Sequence, residues 1–344
     1  MLMMVKSTRI RMIHNKRELT LEPILRRTAN GELICVFTSD GPGEPHPDNR
    51  VYVVHSRDNG ETWSEKVKLY PEDGQAVTVT ELTVVGDELT AYLSVHTGRH
   101  LGWKCFMYKS FDNGYTWENH GTPPFFPEYT YIRSALRKKN GDILTPFQNY
   151  PVTRQMYDAL LADDSITDKI IDKLPVPFCH TGVLYSTDDN KTFLKYTALD
   201  MEINEENGWI WSEPTLAELS DGRIAMLVRK NDGYLGYTES WDGGKTWCPM
   251  RQTDILNPSN KPKLIQMDKG RIALLNTPNN QRMRFPMELW ISEDDMKTWC
   301  YQKPVTDFPG FYPYADGFYE NGHIYFTVDY KRIAVLFFDI ELEE

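Results

Sequence analysis

The hydrophobic pattern of the chain repeats one unit, in which two short apolar segments flank a polar turn that carries glycine. The unit is clearest at residues 23–34, 133–144, 214–224, 262–272 and 313–325, and a weaker copy lies at residues 77–89. Short apolar runs on both sides of such a turn indicate antiparallel strands joined as a hairpin. Six copies spread over one chain therefore predict six similar β-sheet units.

A second repeat follows most of these units and reads S-x-D-x-G-x-T-W. Its best copy is residues 240–247 (SWDGGKTW), and the others are residues 56–63 (SRDNGETW), 110–117 (SFDNGYTW), 186–193 (STDDNKTF) and 292–299 (SEDDMKTW). The aspartate can accept hydrogen bonds from the backbone of a tight turn, and glycine or asparagine supplies a positive φ. The tryptophan packs back between strands. We therefore interpret the five aspartates of this repeat as structural residues of outer turns.

The spacing of the second repeat predicts the architecture. Its copies begin at residues 56, 110, 186, 240 and 292, and four-stranded propeller blades take about 40–50 residues each. The prediction is an all-β fold, a six-bladed β-propeller whose last blade has lost the repeat, with residues 1–344 as a single domain. Blade boundaries are expected near residues 70, 125, 200, 252 and 305. Because a ring must close, the strand-like residues 7–15 and 332–341 are expected to share the last blade.

The interval between the second and third copies is longer than the others, which places an insertion at about residues 151–177. Within it, residues 156–174 carry apolar side chains at helical spacing. This pattern predicts one helix. The helix either packs on the surface of the ring or forms a rim element that shapes a pocket or a dimer contact.

Composition narrows the function. The chain has 344 residues, of which 40% are hydrophobic, and a formal net charge of −11, which argues against nucleic acid or an anionic membrane as the main partner. An anionic substrate stays open, because clustered arginines can reverse the local field. The five cysteines lack metal-binding spacing, the N-terminus lacks signal-peptide features, and no apolar stretch approaches ~20 residues. These features predict a reduced, cytoplasmic protein without a zinc site or a disulfide framework.

Candidate site residues follow from their position in the predicted blades. Propellers bind ligands where the innermost strands converge on the axis, and inner strand starts in a filled core are normally apolar or small. Counting back from the turn glycine of each unit gives polar residues instead, namely Glu22, Arg133, Glu213, Lys261 and either Tyr312 or Tyr314. Charged and phenolic groups at these positions predict a polar pocket on the axis.

The two repeats together resemble the Asp-box repeats and the six-bladed propeller of the sialidase superfamily, over nearly the whole chain. The most specific segment is residues 211–229 (WSEPTLAELSDGRIAMLVR). It is similar to the sialidase segment that holds a catalytic glutamate and, one strand later, an arginine that binds the substrate carboxylate. The resemblance gives these places to Glu213 and Arg229.

A second arginine follows from the same resemblance. Residues 276–292 are similar to the segment that carries a further arginine of the carboxylate-binding cluster, for which Arg284 fits best and Arg282 is the alternative. Arginines suit this role because a guanidinium and a carboxylate form paired, bidentate hydrogen bonds.

The resemblance also implies a nucleophile and an acid. Residues 312–317 resemble the segment of the tyrosine nucleophile, and both Tyr312 and Tyr314 stay open; residues 46–56 resemble the loop of the acid/base aspartate, with Asp48 as candidate. A sialic acid has a carboxylate on its anomeric carbon, which would repel a carboxylate nucleophile. A neutral tyrosine, activated by a glutamate base, avoids this repulsion, and the aspartate protonates the leaving oxygen.

One departure from the family pattern affects the substrate. Sialidases begin the first blade with an arginine in the motif R-I-P, whereas this chain has Leu21, Glu22 and Pro23. The first cluster arginine is absent, an acid lies in or beside its place, and Arg133 is the candidate substitute. An acid that faces a carboxylate weakens binding unless it is paired. The chain is therefore expected to be a divergent member, acting on another acidic or neutral sugar rather than on a standard sialic acid.

The resulting interpretation is a sialidase-like exo-glycoside hydrolase that releases a terminal, acidic sugar through a tyrosine nucleophile. The resemblance implies a carbohydrate partner and no metal or organic cofactor, and it leaves a homo-oligomer open. Two alternatives remain. One is a non-catalytic propeller that binds carbohydrate or protein, and the other is a propeller glycosidase or lyase that acts on a different sugar through Glu22 and Glu213.

Overall fold

The structure is a computed structural model that describes residues 4–15, 18–70, 74–98, 103–126, 129–162, 176–204 and 210–343. Within these residues, the strands β1 to β25 form six antiparallel sheets, which are the blades of a six-bladed β-propeller. The predicted all-β propeller is therefore confirmed.

In blades one to five the first strand along the chain is innermost, and in blade six the innermost strand is β23 (Ala315–Glu320). Blade one contains β2 (Thr20–Arg27), β3 (Leu33–Ser39), β4 (Arg50–Ser56) and β5 (Val67–Lys68), and blade two contains β6 (Ala76–Val85), β7 (Glu88–His96), β8 (Lys104–Ser110) and β9 (Glu118–Asn119). Blade three contains β10 (Thr130–Ile132), β11 (Leu136–Arg137), β12 (Ile143–Asn149), β13 (Phe178–Ser186) and β14 (Leu194–Glu202). Blade four contains β15 (Thr215–Glu218), β16 (Ile224–Val228), β17 (Tyr234–Ser240) and β18 (Arg251–Leu256). Blade five contains β19 (Lys263–Gln266), β20 (Ile272–Asn276), β21 (Glu288–Ser292) and β22 (Tyr301–Pro304).

Blade six joins the two ends of the chain. It contains β23 (Ala315–Glu320), β24 (His323–Tyr330), β25 (Ala334–Glu343) and β1 (Met4–Asn15). β1 pairs antiparallel with β25, so that Met4 lies opposite Glu343 and Asn15 lies opposite Ala334. The prediction that residues 7–15 and 332–341 share a blade is confirmed.

The S-x-D-x-G-x-T-W repeats form the turns that join the last two strands in each of blades one to five. In the copy of blade four, Ser240 Oγ donates to Asp242 Oδ1 at 2.8 Å, and the N–H of Thr246 donates to the same oxygen at 2.8 Å. The turn also faces the preceding blade: a Cβ atom at Gly60, whose φ is +86°, would lie 2.2 Å from the ring of Phe337. The repeat therefore closes its own blade and fits tightly against its neighbour.

Apolar contacts between blades complete the ring. Ile265 and Leu275 of blade five belong to one buried cluster with Phe326 and Phe338 of blade six, and the rings of these two phenylalanines stack 4.5 Å apart. Because each blade buries its faces against both neighbours, the ring holds the inner strands at fixed positions around the axis.

The insertion in blade three contains the helix α1 (Arg154–Ala162). The helix begins before the predicted residue 156, and residues 163–174 of the predicted helix lie outside the described residues. Met156 packs against buried residues of blades three and four, so the described part of the helix lies on the ring.

Further features concern the cysteines, membrane-spanning helices and the end of blade four. All five cysteines are free thiols, and across the described ranges no helix combines the length and the apolar character needed to cross a membrane. β18 continues to Leu256, beyond the predicted end of blade four at residue 252, because its residues keep pairing with β17.

Candidate active site

The starts of the innermost strands bring polar side chains together at the centre of the ring. Glu22 lies in β2, Arg133 directly follows β10, Glu213 precedes β15, Lys261 precedes β19 and Tyr314 precedes β23. The first four are buried and Tyr314 is partly buried. These are the polar strand starts that the turn spacing predicted.

The backbone turns the two glutamates toward the axis. Glu22 has a φ of +50° and Glu213 a φ of +33°, in the left-handed region that non-glycine residues seldom adopt. The register of β2 against β3 shifts between Leu21 and Ile24, which marks a β-bulge at Glu22. A bulge redirects a side chain, and unusual backbone conformations of this kind concentrate at functional sites.

Arg133 bridges the two glutamates. Its Nη1 atom donates to Glu22 Oε1 at 2.9 Å, and its Nη2 atom lies 3.7 Å from Glu213 Oε1. All three residues are at least nine-tenths buried. Glu22 is thus paired, and its partner is Arg133, the residue predicted to replace the first arginine of the sialidase cluster.

Glu213 is held as a carboxylate. Arg229 Nη1 donates to Glu213 Oε2 at 2.7 Å, and the N–H of Glu213 donates to Gln148 Oε1 at 2.8 Å. Burial alone would raise the pKa of Glu213, but Arg229 and Arg133, with a smaller contribution from Lys261, lower it below its ordinary value. Glu213 is therefore ionised at neutral pH.

Tyr314 stands within this cluster. Its N–H donates to Asp329 Oδ1 at 2.8 Å, and Arg229 also interacts with it. Burial and the neighbouring Glu213 raise the pKa of Tyr314, while Arg229 opposes the shift. The phenol is consequently neutral at neutral pH and needs a base to act as a nucleophile.

Tyr312, the alternative nucleophile, lies outside the cluster. Its side chain is fully buried, and its hydroxyl donates to the carbonyl oxygen of Phe308 at 2.9 Å. Its ring packs against those of Phe285, Phe308 and Tyr330. These contacts give Tyr312 a packing role and leave Tyr314 as the tyrosine beside Glu213.

The two arginine candidates of blade five differ in their distance from the cluster. Arg284 Nη2 donates to the carbonyl oxygen of Ser259 at 2.8 Å, and its guanidinium lies 6.0 Å from the ring centre of Tyr314. Burial lowers the pKa of Arg284 from its ordinary value. Arg282 is exposed and has no contact with the cluster among the described residues.

Asp48 does not reach the cluster in this structure. Its side chain is 70% exposed, and its Oδ2 atom lies 3.5 Å from His46 Nδ1. Another acid of the same loop, Glu44, lies near the cluster, and its Oε2 atom accepts from Arg332 Nη2 at 2.9 Å. Burial raises the pKa of Glu44, although Arg332 opposes the shift, and its other charged neighbours are residues of the cluster.

Blade six contributes two further polar groups. Arg332 lies between β24 and β25, and its carbonyl oxygen accepts from the N–H of Thr20 at 2.8 Å, close to the start of β2. Asp329 is fully buried, and burial raises the pKa of its carboxyl to about 8. Asp329 is therefore mostly protonated at neutral pH, although Arg332 and Arg284 favour its charged form.

A second charged layer lies deeper along the same strands. Asp316 pairs with Arg26 and, at 2.8 Å, with Lys263; Arg26 also pairs with Glu81, and Lys263 donates to Ser134 Oγ at 3.1 Å. Beyond this layer, a cavity of about 190 Å³ opens among the inner strands of five blades. Arg26 and Lys263 of this layer also line the cavity.

Within the described residues, no group of three or more His, Cys, Asp and Glu side chains is arranged to hold a metal ion. The expectation that the site needs neither metal nor organic cofactor stays a prediction.

The sequence matches a known family over most of its length. A family described as "BNR repeat-like domain" matches residues 31–316. The chain belongs to this BNR repeat-like family. A search of curated proteins finds no significant match to the sequence.

Solved structures show the same fold as this BNR propeller. The Hadza microbial sialidase Hz136 is 16% identical with a TM-score of 0.73, and the match covers 94% of this chain and 66% of that protein. Trypanosoma rangeli sialidase in complex with the inhibitor DANA is 14% identical with a TM-score of 0.71, covering 98% and 60%. A Dyadobacter fermentans protein of unknown function is 15% identical with a TM-score of 0.74, covering 99% and 100%. The chain spans less than two thirds of both sialidases, and identities this low establish a sialidase-like propeller only.

The charges of the pocket do not cancel. Each of three acids accepts a hydrogen bond from an arginine, as Glu22–Arg133, Glu213–Arg229 and Glu44–Arg332, and Glu213 also forms a longer ion pair with Arg133. Arg284 has no carboxylate partner among the described residues, and neither has Lys261. In a protein of net charge −11, the BNR propeller thus has an excess of positive charge at its centre, which favours an anionic ligand.

Sequence reasoning missed Glu44, Asp329 and Arg332 because they lie outside the inner strands. They sit at the end of the second strand of a blade or in the loop that follows it, and these loops open on the same face as the inner strand starts. Searching the β3–β4 and β24–β25 connections for charged residues would have found Glu44 and Arg332.

Proposed function

We propose that this BNR propeller is a retaining glycoside hydrolase that removes a terminal acidic sugar, with Tyr314 as nucleophile and Glu213 as its base. One observation carries the proposal: Tyr314 interacts electrostatically with the ionised Glu213, and its ring centre lies 6.0 Å from the guanidinium of Arg284, which lacks an acidic partner among the described residues. The glutamate can accept the phenol proton, and the arginine can bind the carboxylate of the sugar.

The reaction has two displacements. In the first, the Tyr314 oxygen attacks the anomeric carbon while its proton passes to Glu213, and the bond to the leaving oxygen breaks as that oxygen takes a proton from an acid. In the second, water attacks the glycosyl–tyrosine and gives its proton to the acid residue, and Tyr314 regains its own proton from Glu213. Two inversions give net retention.

The acid belongs to the loop between β3 and β4. Asp48 is the sequence-based prediction for this role, and Glu44 is the carboxyl that lies near the cluster. A raised pKa suits a general acid because the group must hold its proton at the working pH, and burial raises the pKa of Glu44. Both residues therefore enter the tests below.

A carbohydrate partner is supported by the neighbours and by the charge of the site. Structures with this fold include Trypanosoma rangeli sialidase in complex with sialic acid. In the present chain Glu22 neutralises Arg133 and Glu213 neutralises Arg229, which leaves Arg284 as the arginine available to a carboxylate. This arrangement favours a sugar acid, and the pairing of Arg133 and Arg229 with acids makes a sugar acid other than sialic acid the better candidate.

The experiment is release of 4-methylumbelliferone from aryl glycosides of N-acetylneuraminic, glucuronic and galacturonic acids, with the glucoside and galactoside as neutral members. We expect hydrolysis of one acidic glycoside, with retention of anomeric configuration in the first product seen by NMR. Glu213→Gln should reduce the rate by about 100-fold or more.

The matched control is Glu239→Gln, which removes a glutamate paired with Arg223 in the outer part of the same blade. It should leave the rate within about twofold, as surface pairs contribute little. Hydrolysis of a neutral glycoside alone would contradict the acidic-sugar part of the proposal. No hydrolysis by the folded protein would contradict the hydrolase and favour a carbohydrate-binding propeller.

The alternative that uses Glu22 and Glu213 as an acid–base pair has less support. Both carboxylates form ion pairs with Arg133, and the surrounding arginines lower the pKa of Glu213. A general acid needs the opposite environment, one that keeps its proton on at the working pH.

A further inference from the structure

Lys261 is a buried cation without a bound partner. Its residue surface is 3% exposed, and among the described residues no side chain or carbonyl oxygen lies within hydrogen-bond or ion-pair distance of its ammonium group. The charge of Lys261 lowers the pKa of Glu213 and of Asp316, but both carboxylates are bonded to other cations. Burying an ammonium without acceptors is unfavourable for folding, so such a group indicates a role that the folded protein alone does not explain.

The position of Lys261 places it beside the candidate nucleophile. Lys261 and Tyr314 form an isolated parallel β-bridge between blades five and six, so their side chains start from neighbouring points of the ring. Glu213 lies on the other side of Lys261, in blade four. The ammonium therefore belongs to the floor of the same pocket, between the cluster around Tyr314 and the deeper layer of Asp316.

Lys263 shows what a structural lysine looks like on this strand. Residues two apart point to the same side of an extended strand, and Lys263 is 5% exposed, nearly as buried as Lys261. Its ammonium, however, bonds Asp316 Oδ2 at 2.8 Å and Ser134 Oγ at 3.1 Å. Lys263 is thus paired within the protein, whereas Lys261 has no such partner among the described residues.

We propose that Lys261 is a substrate contact at the floor of the pocket, which donates hydrogen bonds to oxygen atoms of a polyhydroxylated sugar acid whose carboxylate faces Arg284. This inference rests on the proposed function for the identity of the pocket and adds a second point of recognition. Arg284 and Lys261, which have no acidic partner in the part of the chain that the structure describes, then meet two different groups of acceptors on one ligand. A simple carboxylate without sugar hydroxyls fills only the first.

The test compares Lys261→Met with Lys263→Met in the full chain, using free N-acetylneuraminic, glucuronic and galacturonic acids as probes and acetate as the probe without hydroxyls. Dissociation constants come from calorimetry, and Tm values come from thermal unfolding without ligand. For Lys261→Met we expect the affinity for the best sugar acid to fall by about 10- to 100-fold, the range for hydrogen bonds to a charged group. We expect its Tm to stay the same or rise, because an unpaired buried charge is removed.

For Lys263→Met the expected pattern is reversed, with a lower Tm and an affinity within about twofold of the wild type, because its partners are structural. If Lys263→Met does not fold, Lys263→Arg serves as the control. A Lys261→Met variant that unfolds earlier and binds the sugar acids as tightly as the wild type overturns the inference, since Lys261 is then structural. Acetate affinity that falls as much as sugar affinity overturns the assignment of Lys261 to hydroxyl groups.

The same measurements separate this inference from the hydrolase proposal. A wild type that binds a sugar acid but cleaves none of the aryl glycosides contradicts the hydrolase and leaves Lys261 to be judged by affinity. A wild type that cleaves a glycoside, with an unchanged KM in Lys261→Met, contradicts the role of Lys261 alone. A protein that neither binds the acids nor cleaves their glycosides contradicts both.

Discussion

Arg133 donates to Glu22 at 2.9 Å, although the two residues belong to blades three and one and are separated by the inner strand of blade two. Because Glu22 is paired with Arg133, the first blade can carry a buried acid at this position without leaving a carboxylate unpaired. It also joins two blades that share no sheet, so it contributes to the ring as well as to the site.

The first prediction concerns this pair. Glu22→Ala leaves Arg133 buried with only the more distant Glu213 carboxylate, and removing one partner of a buried ion pair costs about 3–5 kcal/mol of unfolding free energy. The double variant Glu22→Ala/Arg133→Met should recover part of this loss, because no unpaired charge remains. Urea denaturation of the three proteins measures both effects, and a Glu22→Ala loss below about 1 kcal/mol, the range of exposed pairs, would contradict the pairing.

The second prediction separates the two tyrosines. Tyr314→Phe should reduce hydrolysis by about 100-fold or more, because the nucleophilic oxygen is removed, while the protein stays folded. Tyr312→Phe should keep most of the activity and lose about 1 kcal/mol of stability, the contribution of the hydrogen bond to Phe308. Steady-state rates and denaturation curves check both, and the reverse pattern would assign the nucleophile to Tyr312.

The third prediction concerns the proton donor. Glu44 lies near the cluster, whereas Asp48 is exposed. Glu44→Gln should therefore lower the rate of hydrolysis of a glycoside with a poor leaving group by about 100-fold or more. Its effect on a dinitrophenyl glycoside should be much smaller, since that leaving group needs no proton. Asp48→Asn is the matched control on the same loop. A strong dependence on the leaving group in Asp48→Asn, without one in Glu44→Gln, would give the role back to Asp48.

The fourth prediction concerns pH and Asp329. Burial raises the pKa of Asp329 to about 8, against an ordinary value of 3.8. Between these pH values the folded protein keeps a proton that the unfolded chain releases, so this residue makes the free energy of unfolding fall as pH rises. Asp329→Asn removes the effect while keeping an acceptor for the N–H of Tyr314.

The measurement is Tm at intervals from pH 5 to pH 8. The Tm of the wild type should fall relative to that of Asp329→Asn as pH rises, whereas Asp87→Asn, at an exposed turn residue, should run parallel to the wild type. Parallel curves for Asp329→Asn and the wild type would show that Asp329 is ionised throughout this range.

The fold was predictable from the sequence because its signals are local and repeated. In each S-x-D-x-G-x-T-W repeat, such as the one containing Ser240 and Asp242, the side chains form hydrogen bonds within the turn itself. The same residue types therefore recur wherever the fold needs this turn. Turn glycines then give the register of the inner strands, which is why Glu22, Arg133 and Glu213 could be placed on the axis in advance.

The remaining site residues have no such signal. Tyr312 and Tyr314 are two residues apart, so both would point to the same side of a strand and the sequence pattern does not distinguish them. The contacts of the folded protein distinguish them, because the ring of Tyr312 packs against Phe308 and its hydroxyl bonds the carbonyl oxygen of the same residue. Glu44 and Arg332 meet each other from loops of different blades, a long-range contact that no repeat encodes. The acid–base role of Asp48 stays a prediction.

Blade six has a consequence for biosynthesis, because it pairs residues 4–15 with residues 334–343. Blades one to five are each made of consecutive strands and can form in the order in which the ribosome delivers them. The sixth cannot, since its outer strand is made first and its inner strands last, and such distant pairing is slow to form. During synthesis β1 waits as an unpaired edge, and the growing ring lacks Tyr314. The chain therefore gains its proposed nucleophile only at the stage that closes the ring, and a nascent chain halted before blade six has no functional pocket.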